Sequence, residues 1–140
     1  MSGSSVWSAR SVMVGGSLAR LSYASGLLFA PKAMSRWQLI GPDPPDPFAR
    51  MTTRAFGALH ANLALQTIRA AVTGRHVEFV LALNLTSDVA DTLGPTLEWR
   101  YGDLPPWAAL TNAAVQSVGM VTWSSLLWRR RIEAQAAAQE

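Results

Sequence analysis

The stretch WAALTNAAVQSVGMVTWSSLLW, residues 107–128, decides the reading of this chain. No charged residue falls between Asp103 and Arg129, and the run is closed at once by Arg129, Arg130 and Arg131. Roughly 20 residues of helix cross a hydrocarbon core of about 30 Å. Trp107 and Trp128 stand at its two ends, where an amphipathic indole favours the membrane interface. The segment therefore reads as a membrane-crossing helix with its last turn held among headgroups by three arginines.

Three more apolar stretches share this punctuation. Residues 11–30 end at Pro31 and Lys32, residues 50–73 end at Gly74, Arg75 and His76, and residues 77–93 end at Gly94 and Pro95. The third of the four segments is the shortest, and it spans only if its Glu78 end reaches the headgroups. Gly41-Pro42-Asp43-Pro44-Pro45-Asp46-Pro47 reads as a loop, because each proline lacks an N–H and restricts the residue before it. Gly74 reads as a left-handed residue ending a helix. Trp37, Trp99 and Tyr101 fall beyond segment ends, as interfacial aromatics do. The expected fold is all-α, an integral membrane bundle of four transmembrane helices over residues 11–130, with tails at 1–10 and 131–140.

Composition narrows the alternatives. Charged residues are 15% of the 140, against roughly 25% in an ordinary soluble domain. A hydrophobic content of 49% excludes intrinsic disorder, and the lack of cysteine excludes disulfides and thiolate metal sites. The net charge of +3 is too small an excess to suggest nucleic acid as a partner. A soluble four-helix bundle is the rival, since mean hydropathy is only +0.14. Such a bundle needs a charged outer face repeating along each helix. The fourth segment has none, and the first has only Arg20 between Arg10 and Lys32.

Polar residues at membrane depth are the candidates for function. The first segment carries Arg20, the second Asn62 and Gln66 in line with Arg54 and Arg69, the third Asn84, Asp88 and Asp91, and the fourth Asn112 and Gln116. Residues three or four apart share a helix face, so each helix has one polar stripe, and all four are expected to turn inward. A lone charge near the bilayer centre costs about 2.5–3.5 kcal/mol on insertion scales. With a rise of about 1.5 Å per residue, Arg20 and Asp88 come to similar depths. The expected pairs are Arg20 with Asp88, and Arg54 with Asp91 or with both acids. The amides Asn62, Gln66, Asn84, Asn112 and Gln116 are expected to bond across helices. Gly15 with Ala19, Ser22 with Gly26, Gly57 with Ala61 and Ala113 with Ser117 are small pairs at the spacing that permits close packing.

His60 is the best isolated candidate for chemistry. It lies near the middle of the second segment, about 160° from the Asn62/Gln66 stripe by the helical step. A neutral imidazole there suits a proton acceptor beside Asp88 or Asp91, or a haem ligand, and equally suits a packing seam. His76 reads as a boundary residue without a role. One central histidine does not supply a zinc site of three or four protein ligands unless both aspartates join it. No phosphate-binding glycine loop, nucleophile elbow or H-E-x-x-H motif is present.

The runs Leu18-Ala19-Arg20, Gly26-Leu27-Leu28 with Pro31, Arg54-Ala55-Phe56-Gly57-Ala58 and Ser87-Asp88-Val89-Ala90-Asp91-Thr92-Leu93 carry a resemblance. Over about residues 10–130 the chain resembles a group of small four-helix bacterial membrane proteins, loosely DoxX-like. Members often carry Arg-Asp shortly after the glycine of the second helix, where this chain has Leu59 and His60. The resemblance implies a four-helix membrane fold and supplies no reaction.

Three functions are compatible with these residues. The first is a non-catalytic accessory or assembly subunit of a membrane complex, whose partners are the lipid bilayer and other membrane subunits or further copies of itself. The second is a membrane-embedded isomerase or cyclase acting on a lipophilic molecule, haem-dependent in one version. Asp88, Asp91 and His60 would be its acid–base groups, with Arg20 or Arg54 stabilising charge. A small transporter is the third. With the N-terminus inside, Arg10, Arg69, Arg75, Arg129, Arg130 and Arg131 face the cytoplasm, against Lys32, Arg36, Arg50, Arg54 and Arg100 outside. That balance favours both termini in the cytoplasm of a cell-membrane protein.

Overall fold

The computed structural model describes residues 3–37 and 47–139, with side chains from 9–34 and 47–139. The chain is all-α in these residues: α1 is Gly3–Phe29, α2 Pro31–Trp37, α3 Pro47–Thr73, α4 Val77–Tyr101 and α5 Pro106–Ala137. Residues 41–46 of the expected proline loop lie outside the described residues. The helices fall into two compact units, Met1–Thr73 and Gly74–Glu140. In the first, α1 packs on α3; in the second, α4 packs on α5.

Several helices run past the boundaries expected from sequence. Helix α1 begins at Gly3 and α5 continues to Ala137, so most of both expected tails is helical. A short helix, α2, follows directly after Ala30, with Pro31 at its start, where a missing N–H costs nothing. Helix α4 runs through Gly94 and Pro95 to Tyr101 instead of stopping at Leu93. Pro95 cannot donate to the carbonyl four residues back. The hydroxyls of Thr92 and Thr96 donate to the carbonyls of Asp88 and Thr92, at 2.8 and 2.7 Å, and reinforce the turns around the proline. Threonines of this kind are how helices in apolar surroundings tolerate proline.

The turn between α3 and α4 is where a left-handed backbone is required. Gly74 has φ 70°, as its position after the second apolar run implies, and His76 has φ 57° just before α4. Gly74→Ala is expected to cost about 1–2 kcal/mol, the penalty of a Cβ in this conformation. Thermal unfolding of the purified variant measures it, and an unchanged midpoint contradicts the turn.

Each unit is built on a seam whose positions alternate by four and three residues, the spacing of knobs-into-holes packing. On α1 the seam is Met13, Ser17, Arg20, Ala24 and Leu27; on α3 it is Gly57, His60, Ala64 and Thr67. On α4 it is Val77, Leu81, Asn84, Asp88 and Asp91; on α5 it is Ala109, Asn112, Gln116, Gly119, Trp123 and Leu126. Contacts of Gly57 with Leu27 and of His60 with Tyr23 and Arg20 make α1 and α3 antiparallel.

The seams bury twelve apolar and five polar residues among those described, and the polar ones include most of the largest fully buried side chains. Among the largest fully buried side chains, only Leu27 and Leu81 are apolar, against Asn84, Thr67, Asp88 and Ser17. Outward, Leu59, Leu65, Val72, Phe79, Leu93, Val115, Val118 and Val121 are exposed. The outward serines and threonines hide their hydroxyls by bonding to carbonyls of their own helix. Ser22, Ser25, Thr86, Thr111, Ser117 and Ser125 all donate to the residue four back, at 2.7–3.0 Å.

Candidate functional site

Two buried polar clusters hold the candidate residues, one in each unit. In the first, the small residues Gly57, Ala64 and Ala70 on α3 bring that helix close to α1 and turn His60 into the seam. A Cβ added to Gly57 would lie 2.9 Å from Leu27 Cβ and 3.0 Å from the carbonyl oxygen of Ala24, so glycine is what this approach requires. His60 is 5% exposed. Its ring lies edge-on to Phe56 at 4.3 Å and to Tyr23 at 5.8 Å between centroids. Arg20 Nη1 approaches His60 Nδ1 at 3.4 Å. A guanidinium has donors only, so Nδ1 is the acceptor and the ring proton sits on Nε2. Arg54, at the end of the same seam, donates from Nε to the carbonyl of Leu28 at 3.2 Å.

The second cluster centres on Asp88, which is 1% exposed. Its Oδ2 accepts a hydrogen bond from Trp123 Nε1 at 2.9 Å. The same oxygen lies where a Cβ of residue 119 would be, so Gly119 makes room for the carboxylate. One turn on, Ser87 Oγ donates to Asp91 Oδ2 at 3.5 Å. One turn back, Asn84 Nδ2 donates to the carbonyl of Val80 at 2.7 Å. A bond from the buried indole contributes about 0.5–1.5 kcal/mol to a neutral carboxyl and about 1.5–3 kcal/mol to an ionised one.

The structure divides the expected site residues between these clusters. Arg20, His60 and Arg54 belong to the first unit, and Asp88, Asp91, Asn84, Asn112 and Gln116 to the second. Arg20 and Asp88, expected to pair, each have a partner within their own unit, His60 and Trp123. Asn84 is buried, and Asn112 and Gln116 are half-buried on the α5 seam. Asn62 and Gln66 are exposed instead of interior. They lie on the opposite side of α3 from His60, and the glycine and alanines flanking His60 gave that side the closer approach to α1. Among the described residues no group of three or more His, Asp or Glu gathers to hold a metal ion.

Trp123, Gly119 and Phe56 are not foreseen at these sites from sequence. Trp123 carried a signal: it falls inside its segment, away from the interfaces, and continues the Asn112, Gln116, Gly119 series at alternating spacing. Gly15, by contrast, has nothing within 4 Å of where its Cβ would be, so the Gly15/Ala19 pair has no close neighbour at its glycine. Compared with protein families, with curated proteins and with solved structures, the chain gives no match.

Proposed function

We infer that this chain is a small multi-pass membrane protein that serves as a non-catalytic accessory or assembly subunit of a membrane complex. The observation that carries this reading is the pairing of buried polar side chains with large aliphatic ones left exposed. Both helix pairs bury Ser17, His60, Thr67, Asn84 and Asp88 while large aliphatic side chains face outward. In water this arrangement exposes what burial should hide; in hydrocarbon it does the reverse. The back-bonded outward hydroxyls support it, because a lipid-facing donor needs an acceptor within its own helix.

One helix, over Ala9–Phe29, is apolar and long enough by composition to cross a membrane. Among the described residues the other three long helices do not meet that measure: α3 and α4 carry more charge, and α5, charge-free over 107–128, is held below it by its amides, hydroxyls and tryptophans. These three span 27, 25 and 32 residues, or about 40, 38 and 48 Å, beyond the roughly 30 Å they would need. That surplus lets their terminal arginines reach the headgroups. The DoxX-like resemblance agrees with such a fold, and the arginines after Trp128 favour cytoplasmic termini.

The buried groups favour packing over chemistry. Asp88 is engaged by an indole and His60 lies edge-on to two aromatic rings, so each already has a packing partner in its own seam. The test is fractionation. The protein is expected to stay in the membrane pellet after an alkaline wash and to leave it only with detergent. Recovery in the supernatant, unaggregated and without detergent, would overturn the reading.

A further inference from the structure

Past Trp128 the surface of α5 is exposed on every side. Each described residue from Trp128 to Gln139 is exposed, Trp128 itself by 67%. Arg129, Arg130 and Arg131 follow one another at the root of this projection. Successive helical residues turn by about 100°, so the three side chains fan over about 200° of the circumference. Other arginines have partners: Arg20 meets His60, Arg54 donates to the Leu28 carbonyl, and Arg100 lies over the Tyr101 ring. Among the described residues no hydrogen bond or ion pair engages the side chains of the three, and Glu133, one turn beyond Arg129, makes none with them. Along the axis they lie within about 4.5 Å of Trp128. An exposed indole at a segment end settles at the membrane interface, which brings the cluster to the depth of the headgroup phosphates.

We propose that Arg129, Arg130 and Arg131 form a collar that binds anionic phospholipid headgroups, an inference that rests on the membrane reading above and names the lipid. One packed partner meets a single side of α5, and side chains spread over about 200° do not all reach it. Headgroups surround a helix in the plane of the bilayer and meet every side. Each guanidinium can donate two parallel hydrogen bonds to phosphate oxygens. A zwitterionic headgroup brings an ammonium of its own and leaves three adjacent positive charges uncompensated. A headgroup of net negative charge neutralises them. Basic residues beside a membrane segment select anionic lipid for this reason, by about fivefold for each residue engaged.

The test offers the chain, purified in neutral detergent, equal amounts of phosphatidylglycerol and phosphatidylcholine, so that orientation in a membrane plays no part. Native mass spectrometry counts the lipids each protein retains. The unaltered protein is expected to prefer phosphatidylglycerol about tenfold. Arg129→Gln/Arg130→Gln/Arg131→Gln is expected to lower that ratio to about twofold or less, with helix content by circular dichroism unchanged. The control Arg10→Gln/Lys32→Gln/Arg69→Gln removes the same formal charge from three scattered, exposed positions and is expected to keep most of the preference. An equal loss in the control would assign the effect to net charge and overturn the collar. Equal retention of the two lipids by the unaltered protein would overturn it too. So would release of the lipid by inorganic phosphate at an ionic strength where chloride leaves it bound, which would assign the arginines to free phosphate. In each of these cases protein that still pellets with membranes leaves the membrane reading standing. Protein found free in the supernatant would remove that reading, and this inference with it.

Discussion

Gly119→Ala will destabilise the α4–α5 pair by about 3 kcal/mol, the largest effect expected of any one-carbon change in this chain. The new methyl would clash with Asp88 Oδ2 and crowd its Cγ. The carboxylate must then swing away from Trp123 Nε1, whose bond to it measures 2.9 Å. Overpacking of a seam costs about 1–3 kcal/mol, and loss of a hydrogen bond to a charged group about 1.5–3 kcal/mol. Trp123→Phe removes the donor together with part of the buried ring, so it should cost the hydrogen bond plus a cavity, about 2–4 kcal/mol. The decisive comparison is a double-mutant cycle with Asp88→Ala. Once the carboxylate is gone the methyl has space, and Gly119→Ala becomes neutral or favourable, alanine being the better helix former. Unfolding midpoints of the four proteins in detergent measure this coupling. Simple additivity would mean that Gly119 does not serve Asp88.

The second large effect is at Gly57, where Gly57→Ala should cost the first unit about 1–3 kcal/mol. Its Cβ would meet the carbonyl oxygen of Ala24 and the Cβ of Leu27, and neither can rotate aside. The helices must separate, which also loosens the Arg20–His60 contact at 3.4 Å. Gly15→Ala is the matched control on α1. With nothing within 4 Å of the added carbon, it should raise stability by up to about 1 kcal/mol through helix propensity alone. Opposite signs for the two alanines, read as shifts in unfolding midpoint, are the expected outcome. A stabilising Gly57→Ala would contradict the close approach.

The helices were legible because their signals are local. Charge-poor runs, proline-rich breaks and Gly74 before a basic boundary each act within a few residues, and they marked the middle of all four long helices, while α1, α4 and α5 each run eight or nine residues past an expected end. The overrun of α4 has a local cause too. Gly94-Pro95 looks like a stop by any single-residue rule, yet threonines at positions 92 and 96 brace the turns around the proline and α4 runs on. The second long helix shows the limit of sequence reading. Its polar stripe and its histidine lie on opposite faces, and within the first unit it is the histidine face that meets α1. Gly57, Ala64 and Ala70 decided it, because close backbone approach brings many dispersion contacts along a whole seam while two amides offer only a few bonds.

By itself, then, the sequence determined that the chain is helical, where its long helices lie, and which few polar groups need a partner. Those properties follow from residue identity and spacing along one helix. Only the tertiary structure decided which face of each helix meets its neighbour, that Arg20 meets His60 and Asp88 meets Trp123, and that Asn62 and Gln66 look outward. Those choices depend on how two surfaces fit together, and shape complementarity between helices is not written in the period of either one.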